Sequence, residues 1–228
     1  MKHIFITLLL SGIFLVNVAV GAQTKEAAPP CYQPAGSTDP SPLIDPVKEL
    51  KGKELVEMLR QGGYVLFMRH AQNVPGTEQC SQKHLTNTGE EQARKVGATI
   101  RVLRIPIGEV RSSPLCRARD TARLLGLGAI EITEDLNQAC KIPGFDVHNA
   151  RFKHLVELPV KGTNYLLVSH VNTSARREER IINRLAIAEI AVYKPDGTGG
   201  TEPVARIPVE EWDNLIKAAT IDGNRIAH

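Results

Sequence analysis

The alternation of strand-like and helix-like segments predicts an α/β fold with a mostly parallel central sheet and a hairpin at its edge. Residues 64–68 and 165–169 are short apolar runs typical of buried central strands, and a histidine follows each within two residues. Amphipathic helical segments lie between the strands, as in sheets whose faces are covered by helices. Pro195-Asp196-Gly197 separates two further strand-like runs and predicts the edge hairpin.

Glycine, proline and capping residues set the bounds of the elements in the first half of the chain. Gly62-Gly63 ends the first helix, and Thr88-Gly89-Glu90-Glu91 is a capping box that opens the second. Ser113 and Pro114 suit the N-cap and the first position of a third helix, which Gly126 closes. The elements predicted here are helices at 48–61, 88–104 and 114–125, strands at 64–68 and 107–111, and an edge strand at 129–133.

The second half of the chain continues the alternation. The elements predicted here are helices at 147–158, 174–185 and 210–219 and strands at 165–169, 189–193 and 204–207. The charged run at 176–180 has the spacing of ion pairs along a solvated helix face.

Composition predicts one exported domain. Residues 1–22 have the charged start, apolar stretch and small residues of a secretory signal, with an uncleaved anchor as the alternative. Residues 23–46 are a proline-rich linker or strap, and 47–228 are expected to form one folded domain. A net charge of +3 and 4% aromatic residues argue against nucleic-acid binding. No second apolar run approaches membrane length, so the mature form is expected to stay out of the membrane.

The chain has four cysteines, all after the signal segment. An even number in an exported chain favours two disulfides, and four cysteines allow three connectivities. Zinc is the alternative. It is not favoured because there is no CxxC motif and Cys80 with His84 is the only close Cys/His pair. We therefore expect no metal and no cofactor.

Cationic and titratable side chains follow the predicted strands. Arg69 and His70 lie at the end of one strand and His170 at the end of another, which is where open α/β sheets bind ligands. Arg117 lies in the first turn of a helix, where anions are favoured. An alternative is that Arg69 caps the surface and His70 is an ordinary strand-end residue. Together, however, the four side chains predict a site for a phosphoryl group.

Four segments, in order, resemble the histidine phosphatase (phosphoglycerate mutase-like) superfamily, here as an exported bacterial member. They are Val65-Leu66-Phe67-Met68-Arg69-His70-Ala71, Leu85-Thr86-Asn87-Thr88-Gly89-Glu90-Glu91-Gln92-Ala93, Ser112-Ser113-Pro114-Leu115-Cys116-Arg117-Ala118-Arg119-Asp120-Thr121-Ala122 and Leu166-Leu167-Val168-Ser169-His170. The resemblance covers about residues 63–172. It implies a three-layer α/β/α sandwich with a mostly parallel central sheet and an edge hairpin.

The resemblance also implies a phosphohistidine mechanism. His70 would attack phosphorus, and water would then release the phosphate. Arg69, Arg117 and His170 would bind the phosphoryl oxygens and neutralise their charge. Asn73 is a substitute for an asparagine that often follows the first motif and would also bind substrate.

The proton donor departs from the family pattern. Gln138 stands where the resemblance places an acidic residue, and glutamine cannot protonate a leaving group. Glu134 and Asp135 are the alternative donors, although a solvated loop acid is an equally good interpretation of each. Surface or capping roles are expected for His84, His148 and His154.

The first hypothesis is thus an exported phosphatase, periplasmic or secreted, that hydrolyses a small phosphomonoester. The looser resemblance to envelope members of the family makes a lipopolysaccharide sugar phosphate one candidate substrate. The alternative, favoured by Gln138, is a weakly active or inactive protein that binds an anionic ligand or partner. We also hypothesise disulfides between Cys80 and Cys116 and between Cys31 and Cys140. The sequence does not indicate an oligomeric state.

Overall fold

A computed structural model describes residues 49–76, 84–138, 144–171 and 177–220. The helices are α1 (Gly52–Gln61), α2 (Asn87–Val102), α3 (Cys116–Leu125), α4 (Val147–Val156) and α5 (Trp212–Thr220). The strands are β1 (Val65–Arg69), β2 (Ile107–Ser112), β3 (Ile130–Ile132), β4 (Asn164–Ser169), β5 (Ile190–Pro195) and β6 (Thr201–Ile207). None of these helices is both long and apolar enough to cross a membrane. The predicted signal and linker lie outside the described residues, so those boundaries stay predictions.

The six strands form one sheet in the order β3-β2-β4-β1-β5-β6. β3, β2, β4 and β1 are mutually parallel, whereas β5 runs antiparallel to β1 and pairs with β6 as the edge hairpin. The predicted sheet and hairpin are therefore confirmed. Because β1 and β4 are adjacent and parallel, with Arg69 opposite Ser169, the segments that follow them begin side by side.

Side chains alternate across the sheet and feed two apolar layers. In β1, Leu66 and Met68 belong to the core beneath α1, α2, α3 and α5, while Val65 and Phe67 face the opposite side. That second layer packs under α4 and the segment at 177–185, through residues such as Leu155. Helical layers thus cover both faces, which confirms the three-layer α/β/α sandwich.

Two predicted caps are wrong. Thr86, not Thr88, is the N-cap of α2, and its hydroxyl accepts a hydrogen bond from the Gly89 amide. Helix α3 begins at Cys116 rather than Pro114, because Ser113 is held elsewhere. The Ser113 amide donates to the Val168 carbonyl, which extends the strand pairing past the end of β2.

The helix predicted at 174–185 is also wrong within the described part of that range. Residues 177–181 form turns, and a short 3-10 helix spans Ile182–Arg184. Glu179 does not lie on a solvated face: it is fully buried and accepts a 2.8 Å hydrogen bond from Arg151 Nε of α4. This buried ion pair fixes the segment against α4. Because Glu179 is buried, the segment does not have the solvated charged face that the helix prediction required.

Candidate active site

Adjacent parallel strands bring the two histidines together. The His70 amide donates to the Ser169 carbonyl at 3.0 Å, directly before His170. The two imidazole centroids are 5.1 Å apart, and the residues are 6% and 2% exposed. The structure therefore brings both rings into one buried site at the carboxyl edge of the sheet, where the strand ends predicted it.

Hydrogen bonding defines the proton position on His70. Its Nδ1 lies 2.9 Å from the Ala71 carbonyl oxygen, which can only accept, so Nδ1 carries the hydrogen and Nε2 keeps its lone pair. Burial lowers the pKa of His70 from 6.5 to about 3, and the charges of Arg117 and Arg69 act in the same direction. The Ala71 carbonyl opposes that shift. The ring is consequently neutral, with a nucleophilic Nε2, at physiological pH.

Arg117 lies against that nitrogen from the first turn of α3. Its Nε donates to His70 Nε2 at 3.1 Å, and its Nη2 donates to Gln138 Oε1 at 2.7 Å. Thr121, one turn later, accepts from the Ala71 amide at 3.0 Å and donates to the Arg117 carbonyl at 2.7 Å. Thr121 therefore holds the start of α3 and the segment after β1 in a fixed relation.

Arg69 is the last residue of β1 and directly precedes His70. Its Nη1 donates to the Leu185 carbonyl at 2.8 Å, and the Ala188 amide donates to the His70 carbonyl at 3.2 Å. The segment between the 3-10 helix and β5 thus orients the guanidinium. Arg69 and Arg117 together surround a neutral nucleophile with positive charge, as a phosphoryl site requires.

His170 is oriented by Ser113. Its Nε2 lies 2.8 Å from Ser113 Oγ, which also accepts from the Leu115 amide at 3.2 Å. The Nδ1 atom is buried, and no hydrogen-bond partner for it lies within the described parts of the chain. Burial lowers the pKa of His170 well below 6.5, with Arg117 as the next cause, so this ring is neutral as well.

Residues 65–139 match the family model of the histidine phosphatase superfamily (branch 1). This match covers 75 of the 228 residues and supports the superfamily resemblance that the sequence motifs indicate. A search of curated proteins finds no significant match.

A solved structure of a protein histidine phosphatase shares the fold. The chain is similar to the protein histidine phosphatase SixA complexed with tungstate, with a TM-score of 0.50 and 18% identity over 65% of this chain and 98% of that one. It is also similar to a variant of phosphoserine phosphatase from Entamoeba histolytica in complex with phosphoserine, with a TM-score of 0.41 and 17% identity over 64% and 98%. At these identities the similarity concerns the fold alone.

The side chains of the alternative donors contact other partners. Glu134 is exposed and accepts from Asn137 Nδ2 at 2.7 Å, whereas Asp135 lies 2.9 Å from His154 Nε2. Gln138 alone of the three predicted donor positions is hydrogen-bonded to Arg117. The structure thus brings Arg69, His70, Arg117 and His170 together and places Gln138 beside them. 

Asn73, the predicted substrate-binding asparagine, donates to the neighbouring Val74 carbonyl at 3.3 Å and makes an isolated bridge with Leu85. These contacts place the Asn73 amide against the segment that follows β1. A role for Asn73 in substrate binding stays a prediction.

Sequence reasoning missed the contacts of three polar groups, of which His84 and Arg151 are buried and His154 is half-buried. His84 is 3% exposed and lies 3.2 Å from Asp120, so its predicted surface role is wrong. His154 bridges Asp135 and Arg111, whose Nη1 lies 2.7 Å from His154 Nδ1. The fully buried Arg151 supports the second layer. The roles of these side chains depend on partners that are distant in sequence, so no local sequence pattern predicts them.

Proposed function

We propose that the protein is a phosphatase that hydrolyses a small phosphomonoester through a phosphohistidine intermediate on His70. The match of residues 65–139 to the histidine phosphatase family model supports phosphatase chemistry. The observation that carries the mechanism is the pair of contacts on one ring: Nδ1 on the Ala71 carbonyl and Nε2 at 3.1 Å from Arg117 Nε. A neutral nitrogen facing a guanidinium is ready to attack a phosphoryl group that the same guanidinium binds.

The proposed reaction has two displacement steps. His70 Nε2 forms a bond to phosphorus while the bond from phosphorus to the leaving oxygen breaks, and that oxygen takes the bonding pair. As substrate enters, the Arg117 hydrogen bond moves from Nε2 to a phosphoryl oxygen. Water then attacks phosphorus, the N–P bond breaks, and the pair returns to Nε2 with release of inorganic phosphate. Arg69 and His170 stabilise the oxygens in both steps.

The test is hydrolysis of p-nitrophenyl phosphate by the wild type and by His70→Ala. His148→Ala, a partly exposed histidine on α4, is the control for loss of an imidazole. The proposal expects hydrolysis to fall to background in His70→Ala and to remain in His148→Ala. Equal rates in the wild type and His70→Ala would contradict it.

A second candidate is a protein that binds an anionic ligand without turnover. The neutral Gln138 in contact with Arg117 favours this candidate, because no acid assists the leaving group there. It predicts saturable binding of inorganic phosphate or tungstate, with no release of p-nitrophenol above the His70→Ala background. Turnover that depends on His70 excludes it.

We further propose export to the periplasm or medium after cleavage of residues 1–22. The apolar segment and the even cysteine count support this location. The pairing Cys80–Cys116 would tie the segment at 77–83 to the start of α3, with Cys31–Cys140 as the second disulfide. Cys116 is 8% exposed, and the other three cysteines lie outside the described residues. Peptide mapping without reductant tests the pairing, and free thiols at all four positions would contradict it.

A lipopolysaccharide sugar phosphate is a candidate substrate only if the protein supplies a proton to the leaving group. Its leaving group is a basic sugar oxygen, which makes the source of a proton decisive. The contacts around His70 bear on that point.

A further inference from the structure

Among the residues that the structure describes, the side chains around the nucleophile are poor sources of a proton. Arg69 and Arg117 keep their protons throughout the physiological range, and the amide of Gln138 does not titrate. His170 is neutral at physiological pH, and a neutral imidazole is a very weak acid. These groups can donate hydrogen bonds to a phosphoryl group, but none of them is suited to general acid catalysis.

Carboxylates on the neighbouring segments are committed to other partners. Glu134 and Asp135 contact Asn137 and His154. Glu189, at the start of the segment that pairs with β1, accepts from Arg206 Nε at 2.8 Å and is 1% exposed. Each carboxylate is therefore held by a group outside the His70–Arg117 contact.

Hydrogen bonds fix both Gln138 and the segment that precedes it. The Leu136 carbonyl accepts from Ser169 Oγ at 2.6 Å, which ties this segment to the end of β4. The backbone amide of Gln138 donates to Asn137 Oδ1 at 2.7 Å, and the side-chain oxygen of Gln138 accepts from Arg117. The neutral side-chain amide of Gln138 is thus connected to His70 through the guanidinium of Arg117.

Resting on the proposed function, we infer that Gln138 restricts the enzyme to phosphoryl compounds with a weakly basic leaving group. In the first step the P–O bond of an aryl or acyl phosphate breaks, and the oxygen departs as a phenolate or carboxylate that keeps the bonding pair. No proton from the protein enters that step. In the second step water supplies the new P–O bond, and its proton passes to the released phosphate or to solvent. An alkyl phosphate would instead release a strongly basic alkoxide, which requires a general acid.

The test compares leaving groups in the wild type. kcat/KM is measured for acetyl phosphate, p-nitrophenyl phosphate, phenyl phosphate and O-phosphoserine. General acid catalysis is worth about 10²- to 10⁴-fold, so we expect O-phosphoserine to react at least about a hundredfold more slowly than p-nitrophenyl phosphate. Rates for these two substrates within about tenfold of each other would overturn the inference.

Variants separate Gln138 from the neighbouring acids. Gln138→Glu should raise the ratio of the O-phosphoserine rate to the p-nitrophenyl phosphate rate by about tenfold or more. The gain should be larger at about pH 5.5 than at about pH 7.5, because the new carboxyl must be protonated to act as an acid beside Arg117. Glu134→Gln and Asp135→Asn should leave that ratio unchanged. Glu78→Gln tests an acid outside the described residues in the same way.

Each outcome has a distinct meaning. A tenfold fall in the ratio in Glu78→Gln, Glu134→Gln or Asp135→Asn would identify a donor and overturn the inference. An unchanged ratio in Gln138→Glu at both pH values would also overturn it. Loss of the inference would leave the proposed phosphatase intact if p-nitrophenyl phosphate hydrolysis still depended on His70. Hydrolysis independent of His70 would instead remove the proposed function.

Discussion

At the scale of single residues, the site depends on one imidazole held in one protonation state. The Ala71 carbonyl fixes the hydrogen on Nδ1 of His70, and burial keeps Nε2 unprotonated. Arg117 is the one of the two arginines that contacts Nε2 in the resting site. A guanidinium in this position both orients the nucleophile and binds the incoming charge.

Arg117→Ala should lower kcat/KM for p-nitrophenyl phosphate by about a hundredfold or more, because a preorganised charge is lost at the transition state. Arg119→Ala is the matched control: Arg119 is exposed on the same helix and should lose less than about threefold. Steady-state kinetics of both variants checks this. Similar losses in the two variants would mean that Arg117 acts only through the general charge of α3.

The sequence predicted the two histidines and two arginines because strand ends and helix starts have local signatures. It could not decide among Glu134, Asp135 and Gln138, because all three lie in one short segment and no local pattern shows which side chain faces the site. Their side chains diverge according to the path of the 3-10 helix at Glu134–Leu136. That path depends on Ser169 and His154, which lie more than a dozen residues away in sequence.

At the scale of elements, α2 and α3 pack closely because one residue lacks a side chain. A Cβ on Gly97 would overlap the Leu125 carbonyl at the end of α3. Arg101 of α2 donates to that carbonyl at 2.8 Å, which secures the same contact. Because α3 carries Arg117, this packing contributes to the position of the guanidinium.

Gly97→Ala should destabilise the protein by about 1–3 kcal/mol, because the backbone of α3 must move. Helix propensity alone predicts the opposite sign, since alanine is favoured over glycine by about 1 kcal/mol within a helix. Urea unfolding of the variant measures the effect. Ala98→Gly, at the exposed neighbouring position, is the control and should cost only about 1 kcal/mol. A more stable Gly97→Ala variant would show that the two helices can separate freely.

Element types were predicted better than caps. Periodicity and glycine stops identify α1, α2, α3 and the central strands, because each feature is local. Ser113 was assigned as a cap although its hydroxyl contacts His170 and its amide extends the sheet pairing. The segment at 177–185 departs from a helix because Glu179 is buried against Arg151. Tertiary contacts decide both cases, and composition does not reveal them.

At the scale of the whole molecule, the domain buries two neutral histidines at the edge of its sheet. Burial lowers the pKa of His70 to about 3 and that of His170 well below 6.5. Below about pH 6.5 the unfolded chain therefore binds protons at these positions that the folded chain excludes, and for His70 this holds down to about pH 3. Their contribution to stability is present above the unfolded pKa and decreases as the pH falls.

The free energy of unfolding should accordingly decrease on acidification. For His70 the loss is about 2 kcal/mol between pH 7.5 and pH 5, from a pKa near 6.5 in the unfolded chain, and His170 acts in the same direction. His70→Asn removes one of these groups, so its loss should be smaller than that of the wild type by about 1–2 kcal/mol. Urea titrations at the two pH values measure the difference. Equal losses in both proteins would mean that His70 titrates normally in the fold.

The most direct measurement is whether His70 becomes covalently phosphorylated during turnover. The wild type is mixed with p-nitrophenyl phosphate, quenched in alkali to preserve an N–P bond, and mapped by mass spectrometry. The account predicts a phosphoryl group on the peptide containing His70, its absence in His70→Ala, and its decay when substrate is exhausted. Phosphate release at full rate with no phosphorylated His70, or with the group on His170 instead, would contradict it.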